Sequence, residues 1–178
     1  MGIPTLLSTT TASGAAAVTI SSKITSSYDE YMIVATNVQE SVNQEDVILT
    51  FSQAGSFSAE DCTTTFFHAK HSEADATTFE YNTGADVANA SNTMYIFPNG
   101  DNGNLADESY SLVMHLFSPS DTTYVKQFYF TSTGNEADEG VSTAYSAGYV
   151  NTTSAITQVK FTPNSGDFDG VFQLYGIA

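Results

Sequence analysis

Apolar and polar residues alternate with a period of two along most of this chain, which is the pattern of β-strands with one buried face. In the segment Tyr124–Phe130, every second residue from Tyr124 would share one face, which is apolar except for Lys126 near its entrance. We expect Lys126 to extend its stem along that face and keep its ammonium group in water. No long window repeats apolar residues at spacings of three and four, so we expect less than about a tenth of the chain to be helical.

Turn-forming residues separate the alternating segments at nearly regular intervals. At 178 residues, the chain has the size of one domain with its own core. These features predict an all-β fold, a two-sheet antiparallel β-sandwich of jelly-roll type. The strands are predicted at Thr5–Thr10, Ala16–Ile20, Tyr28–Val38, Asp46–Ser52, Thr64–Lys70, Thr93–Phe97, Ser109–Phe117, Tyr124–Thr131, Val141–Val150, Ala155–Thr162 and Gly170–Ile177.

The last predicted strand, Gly170–Ile177, is strongly apolar and follows a turn rich in Gly and Asp. Such a strand needs a neighbour on both sides, because an open apolar edge favours aggregation. We therefore expect it in the middle of a sheet, beside the long apolar run Tyr28–Val38. The run Pro163–Gly166 predicts a hairpin that joins Ala155–Thr162 to this last strand.

We divide the chain into an N-terminal segment, residues 1–22, and the jelly-roll β-sandwich domain, residues 23–178. The N-terminal segment contains no charged side chain and many small residues, and we expect it to dock on a neighbouring subunit. Within the sandwich, the side chains expected to be largely buried are Phe128, Phe130, Val159, Phe161, Phe172 and Leu174.

Three polar segments are predicted to be long loops. Ser72–Asn92 is rich in Ala, Thr, Asp and Asn, with a short strand expected within it at Thr78–Tyr81. Pro98–Glu108 is a cluster of turn residues, and Ser132–Gly140 is its acidic counterpart. A long loop is also where a binding surface would vary, so Ser72–Asn92 is a candidate receptor-contact region.

Charge narrows the choice of partners. Four lysines, no arginine and 20 acidic residues give a formal net charge of −16. A surface this acidic repels phosphate backbones and anionic lipids, which disfavours nucleic acid and membrane surfaces as partners. The first residues also lack the basic region of a secretion signal, and no apolar run approaches the roughly 20 residues of a membrane helix.

The sequence contains few residues with evident chemistry. Cys62 is the single cysteine, and because cationic neighbours are scarce we interpret it as a buried, unreactive thiol. No Gly-rich phosphate loop, zinc motif or nucleophile elbow occurs. With 20 acids, some pair of carboxylates always lies at a workable distance, so a glycosidase pair has no diagnostic value. The sequence therefore predicts no enzyme, no catalytic residue and no cofactor.

The histidines are the first candidates for a metal or a base. His68 and His71 lie beside Glu73, but in a strand that runs into a loop, residues three apart face opposite sides. We interpret them as solvated loop residues rather than metal ligands. His115 lies within an apolar strand and is interpreted as a hydrogen-bonded strand histidine rather than a catalytic base.

Two oxygen-rich loops offer an alternative metal site. Asp167 and Asp169 could point the same way, and Asp101, Asn102 and Asn104 form a second loop. Neither loop fits the twelve-residue calcium motif, which needs a glycine at position six and a glutamate at position twelve. Turn formation accounts for both loops, and calcium stays the alternative interpretation.

Exposed aromatic residues on loops would indicate a receptor-binding module. Phe66 and Phe67, beside His68, and Tyr81 in the long loop are the candidates, and the alternative is that they belong to the core. Asn89 and Asn151 match glycosylation sequons, which we interpret as chance matches in a chain without a secretion signal.

Two segments carry a resemblance to a known family. Tyr28–Val34 reads Y-D-E-Y-M-I-V, and Ala155–Ile177 reads A-I-T-Q-V-K-F-T-P-N-S-G-D-F-D-G-V-F-Q-L-Y-G-I. They resemble small jelly-roll virion structural proteins of tailed marine phages, including phages of cyanobacteria. Members of this family typically share a Y-x-x-Y strand near the start and a closing strand that reads L-Y-G-I or a close variant.

The resemblance implies a virion structural protein of a tailed phage, made in the host cytoplasm and located on the outer surface of the virion. Similar domains serve as capsid decoration proteins, as knobs and as parts of tail fibres. Among these roles we expect a capsid decoration (cement) protein on the head, and the alternative is a tail knob, adaptor or fibre component that binds a receptor glycan. The implied partners are further copies in a homotrimer and the major capsid protein or other virion proteins. The sequence lacks the repeats or heptads that a fibre shaft would need, which favours the head.

Overall fold

The computed structural model describes residues 2–91, 94–97, 102–137 and 139–178. Within these ranges it contains twelve strands and no helix, which confirms the predicted all-β fold. In the same ranges, no helix is available to cross a membrane. The strands are β1 (Thr5–Ala15), β2 (Val18–Ile20), β3 (Glu30–Glu40), β4 (Val47–Ser52), β5 (Cys62–Ser72), β6 (Thr77–Tyr81), β7 (Ala88–Ala90), β8 (Tyr110–Phe117), β9 (Lys126–Glu136), β10 (Gly140–Val150), β11 (Gln158–Pro163) and β12 (Phe168–Ile177).

The strands form two antiparallel sheets of very different size. The large sheet has the order β1-β12-β3-β8-β9-β10-β5-β6, and β7 also pairs with β5. The small sheet has the order β2-β11-β4. The two-sheet sandwich is therefore as predicted, whereas the strand order does not confirm the jelly-roll arrangement, which stays a prediction.

The two sheets pack through apolar side chains on their facing sides. The rings of Phe51 and Phe128 lie 4.8 Å apart between centroids, and those of Phe161 and Phe172 lie 5.0 Å apart. In each pair one ring comes from each sheet. All six side chains predicted to form the core are buried, namely Phe128, Phe130, Val159, Phe161, Phe172 and Leu174.

Strand β12 lies between β1 and β3, which confirms the central position predicted for the last strand. Phe172 faces Ala35 of β3 on one side and Thr10 of β1 on the other. The pairing with β3 is also the predicted one, since β3 overlaps the run Tyr28–Val38. The apolar residues of β12 are therefore covered by backbone pairing along both edges.

The predicted hairpin between Ala155–Thr162 and the last strand is wrong. Strand β11 pairs with β2 and β4 in the small sheet, whereas β12 belongs to the large sheet. The turn at Pro163–Gly166 therefore carries the chain from one sheet to the other. Turn chemistry fixes a change of direction but not the partner strand, and both strands present an apolar face to the same core.

Two of the three predicted loops contain more strand than expected. Ser132–Gly140 is mostly the end of β9 and the start of β10, so a long loop there is wrong, because the pairing of these two strands continues to Glu136 and Gly140. In Ser72–Asn92 the short strand is confirmed as β6, and β7 is an addition. Residues 92 and 93 and residues 98–101 of the predicted strand and loop lie outside the described residues.

The N-terminal segment is part of the sandwich. Strand β1 forms one edge of the large sheet, and β2 forms one edge of the small sheet. Residues 2–22 thus contribute to both sheets of their own chain. Docking of residues 1–22 on a neighbouring subunit stays a prediction.

Candidate functional site

The outward-facing side of five adjacent strands forms a distinctive surface of the molecule. Strands β8, β9, β10, β5 and β6 pair in this order, so their outward residues lie on the same side of the sheet. None of these outward residues is buried. We call this surface the uncharged face. It consists of Ser111, Val113, His115, Phe117, Gln127, Tyr129, Thr131, Thr133, Asn135, Val141, Thr143, Tyr145, Ala147, Tyr149, Thr63, Thr65, Phe67, Ala69, His71, Thr77, Phe79 and Tyr81.

The uncharged face carries no Asp, Glu or Lys side chain, although the chain has 20 acidic residues and four lysines. Its polar groups are hydroxyls, amides and two histidines. The solvated face of an antiparallel sheet is normally where charged side chains collect. The arrangement instead suits an uncharged surface that contacts another macromolecule.

Aromatic rings on this face form two clusters. In the first, Phe67 stacks on Tyr145 with centroids 5.2 Å apart and contacts Phe79 edge-on at 6.1 Å. In the second, Tyr129 stacks on His115 at 4.8 Å and also contacts the ring of Phe117. These contacts hold the rings in fixed orientations while leaving much of each ring accessible, as the 44% exposure of Tyr145 shows.

The receptor-contact candidates divide between core and surface. Phe66 points inward and is buried, so it belongs to the core, which was the alternative interpretation. Phe67 and Tyr81 point outward and belong to the uncharged face. The phenol of Tyr81 donates a hydrogen bond to Asp86 at 2.7 Å, and that bond raises the pKa of Tyr81 above its ordinary value. Sequence analysis thus found one edge of the surface but not its extent.

The two histidines of β5 lie on opposite sides of the sheet, as the strand spacing predicted. His68 points inward, is 4% exposed and has Nε2 3.1 Å from Oε1 of Glu80. Its interpretation as a solvated residue is therefore wrong, because β5 continues through it and turns it into the core. His71 is exposed and contacts Asp75 at 3.2 Å. Among the residues that the structure describes, no group of three or more His, Cys, Asp or Glu side chains could hold a metal ion.

His115 confirms the predicted hydrogen-bonded strand histidine. Its Nδ1 lies 2.5 Å from Oε1 of Glu30 on the neighbouring strand β3. The ring also stacks on Tyr129, so it is held from two directions.

The two loops considered for calcium partly meet in space. Asp167, Asp169 and Asn104 line one cavity of about 310 Å³. Asp169 Oδ1 accepts a hydrogen bond from the Gly14 amide at 2.7 Å, and the Asn104 amide donates to the Ser41 carbonyl at 3.1 Å. These side chains therefore already bind neighbouring backbone groups, and calcium stays an alternative interpretation.

Asn102 lies apart from that cavity, and Asp101 lies outside the described residues. Asn102 is buried, and its amide donates to Glu40 Oε1 at 3.2 Å and to the Glu45 carbonyl at 2.7 Å. Tyr110 donates to the same Glu40 oxygen at 2.7 Å. Burial raises the pKa of Glu40 from 4.5 to about 7, and it raises the pKa of Tyr110 well above its ordinary value.

Lys126 is another buried ionisable group of the inner face, at 1% exposure. The prediction that its ammonium group reaches water is wrong, because Nζ instead donates to the carbonyls of Tyr124 at 2.7 Å and Thr152 at 3.3 Å. Burial lowers the pKa of Lys126. These carbonyls lie in the turns that flank β9 and β10, so the lysine ties those turns together.

An acid-lined cleft of about 480 Å³ lies at the other end of β9 and β10. Its carboxylates include Glu73, Asp107, Glu108 and Glu139, together with buried Glu136, which contacts Lys70. The cleft is also lined by His71, Asn135 and Val141 of the uncharged face, so it adjoins one end of that face. Negative charge is therefore concentrated beside that face and excluded from it.

The remaining candidates have clear structural positions. The thiol of Cys62 is buried, as predicted, and burial together with Asp61 and Glu60 raises its pKa from 9.0 to about 12. The two sequon residues contact each other, since the Asn151 amide donates to Asn89 Oδ1 at 2.6 Å.

Sequence reasoning missed most of the uncharged face. The signal was present in the alternation of β9 and β10, whose outward positions carry Thr, Tyr, Val, Gln and Asn but no acid. Recognising it required knowing which strands are neighbours. In comparisons with known proteins, no family model, curated protein or solved structure matches this chain.

Proposed function

We propose that this protein is a structural, non-catalytic component of a tailed-phage virion that acts by binding other protein surfaces. The observation that carries the proposal is the uncharged aromatic face on a chain with a net charge of −16. Tyr and Phe are enriched, and charged residues depleted, at the centres of protein interfaces. A flat, ordered surface of this composition fits assembly with other macromolecules.

The virion assignment rests on the resemblance of two segments, and the fold brings those segments together. Tyr28–Val34 lies mostly in β3, and the end of Ala155–Ile177 is β12, which pairs with β3. Their shared motif residues therefore lie on adjacent strands of the large sheet, next to its edge strand β1. This adjacency supports treating the two ends as a single pattern.

Within the virion, we propose the outer surface of the head. A cement protein that binds only the assembled shell stabilises it by mass action, and this role needs a compact domain without a catalytic site. The negative charge favours an outer location, since a protein that faces packaged DNA would be basic. The partner would be the major capsid protein, and the homotrimer implied by the resemblance stays a prediction.

Copy number in purified particles tests this location. The protein is quantified against the major capsid protein by mass spectrometry with isotope-labelled peptides. Hundreds of copies per particle are expected for a head decoration protein. About a dozen copies would contradict it and favour a tail knob or adaptor, and absence from particles would overturn the virion role.

Glycan binding by a tail component is the second candidate, favoured by the exposed rings of the uncharged face. Phe79 is 77% exposed and Tyr81 is 51% exposed, and Thr77 is exposed on the same side of β6. Aromatic faces and hydroxyls together suit neutral sugars. Binding of purified protein to a glycan array, lost on Phe79→Ala and Tyr81→Ala substitution, would support this candidate over the first.

A further inference from the structure

We propose that two copies of this chain associate through their uncharged faces, as a two-fold dimer in which the large sheets pack against each other. The inference rests on the proposed role of the uncharged face as a protein contact and names a second copy as its occupant, but it does not depend on where the protein acts. Solution mass tests it, whereas particle copy number tests the proposed function.

The distribution of charged residues indicates which surface two copies would use to associate. Each copy carries −16, so most surfaces would bring carboxylates of two copies close together, as the acid-lined cleft around Glu73, Asp107 and Glu139 illustrates. Like charges that face each other across an interface disfavour association. The uncharged face is free of Asp and Glu over five adjacent strands. It is therefore a surface on which copies of this acidic chain can meet with few opposing carboxylates.

The size of the face also fits. Five strands spaced about 4.8 Å apart, with a mean length of about nine residues of ~3.4 Å, give an area on the order of 700 Å². A standard protein interface buries about 800 Å² on each partner. The face therefore approaches the area of a stable interface without help from the acidic surroundings.

The composition and geometry fit a second sheet as the occupant. Tyr129, Tyr145 and Tyr149 offer rings that bury apolar area, and their hydroxyl groups can hydrogen-bond to Thr and Gln side chains of the partner copy. Two twisted sheets pack face to face at a spacing of about 10 Å. A second copy supplies a sheet with the same twist and the same uncharged surface.

The two-fold symmetry of the proposed dimer follows because both copies use the same surface, the uncharged face. When the same patch meets itself, the contact closes as a two-fold pair, whereas a three-fold ring needs two different surfaces. The proposed contact is therefore a pair, whereas the family resemblance implies a trimer on the virion. The mass of the protein measured in solution distinguishes a dimer from a trimer.

Analytical ultracentrifugation of the purified protein at pH 7 provides the main test. With a monomer of 19.0 kDa, we expect a species of twice that mass that gains population with protein concentration. Association should strengthen when NaCl is raised from 20 to 500 mM, because salt screens the repulsion between the acidic bodies. A monomer at the highest concentration in both salts would overturn the proposal.

Charge insertion identifies the surface. Ala147 lies near the centre of the face, opposite Tyr129 and Thr65 on the neighbouring strands, so Ala147→Glu adds a carboxylate there without removing a ring. We expect its dissociation constant to rise at least about tenfold, since a buried like-charge pair is costly. Tyr124→Glu is the matched control, because Tyr124 is 72% exposed and lies outside the face. Equal self-association in wild type and Ala147→Glu, including a trimer indifferent to the change, would overturn the proposal.

A second measurement does not rely on a destabilising change. In Ala147→Cys, the new thiol should react with a maleimide more slowly as protein concentration rises into the dimer range, and circular dichroism verifies folding. Labelling at a rate independent of concentration would contradict the proposed contact. A monomeric wild type whose glycan-array signal is lost in Ala147→Glu would instead assign the face to sugars.

Discussion

The two faces of the large sheet reverse the usual distribution of charge. The inner face holds ionisable groups among its phenylalanines, including Glu40, Lys126 and Glu136, each almost fully buried. The outer face of β8, β9, β10, β5 and β6 holds rings and hydroxyls but no Asp, Glu or Lys. In most soluble domains the charged side chains would occupy the solvated face.

The difference indicates separate roles for the two faces. On the inner face, each buried charge is placed against specific partners, such as Tyr110 for Glu40 and two carbonyls for Lys126. A buried polar group constrains the packing around it, since any other arrangement would leave it unsatisfied. On the outer face, rings such as Tyr145 contact their neighbours but remain accessible. The groups on the inner face thus constrain how the protein folds, and the rings on the outer face remain available for contact with another molecule.

Thiol reactivity should show the largest difference between the faces. Cys62 lies on the inner side of β5 with a raised pKa of about 12, whereas Ala147→Cys places a thiol on the outer face. At pH 8 and low protein concentration, we expect maleimide to label the introduced thiol on the order of a thousandfold faster, because the thiolate is the reactive species. Labelled peptides are quantified by mass spectrometry over time. Comparable rates in native protein would contradict the burial of Cys62.

Ring truncation should separate the faces by several kcal/mol. Phe172→Ala removes a buried ring that contacts Phe161 and Phe168, and we expect it to lower the free energy of unfolding by about 3–5 kcal/mol. Tyr129→Ala removes a ring from the outer face and should cost about 1 kcal/mol or less in the monomer. Urea denaturation at low protein concentration measures both. Equal losses would mean that the two faces are equally important for folding.

The buried acid should make stability depend on pH in a specific direction. The Glu40 carboxyl titrates near 4.5 when unfolded and near 7 when folded, so the folded state binds more protons between these values. The free energy of unfolding should therefore fall as pH rises from about 4.5 to 7, by up to about 3 kcal/mol from this group.

Glu40→Gln provides the control for that prediction, because the amide cannot ionise and keeps an oxygen for the bond from Tyr110. Denaturation midpoints at several pH values from 4.5 to 8 should show a smaller decline in the variant than in the wild type. Parallel curves would show that Glu40 is not the responsible group.

An exposed hydrogen bond at the edge of the outer face should have the smallest effect. Tyr81→Phe removes the bond to Asp86 between two solvent-accessible side chains, and we expect a change in unfolding free energy below about 0.5 kcal/mol. Thermal denaturation followed by circular dichroism is sufficient. A loss above 1 kcal/mol would indicate that this edge contributes to folding.

Local patterns predicted much of the fold, because strand alternation depends on neighbouring residues. The burial of Phe128 and Phe130 and the central place of β12 both followed from apolar periodicity. The hairpin after β11 failed because the choice between sheets depends on which distant strand is free to pair. The uncharged face depended on the same long-range information, since it exists only when five strands are set side by side.

The burial of Lys126 and His68 also could not be predicted from the sequence. Lys126 was placed correctly on the inner face, but its burial depends on carbonyls of Tyr124 and Thr152 that converge from two turns. His68 was expected in water because the strand that contains it was taken to end near Lys70 rather than at Ser72. In both cases the pattern gave the direction of the side chain, whereas its surroundings came from distant segments.

The position of β12 also affects how the protein folds. Its pairing with β1 joins residues as distant in sequence as Thr5 and Gly176, and closing so long a loop costs entropy before any contact repays it. Sheets dominated by such distant pairings fold slowly, in about milliseconds to seconds. Until β12 docks, β3 presents an apolar open edge to other chains. In the native sheet β12 covers this edge of β3, and β1 covers the other edge of β12. The risk of aggregation is therefore highest before β12 has paired with β3.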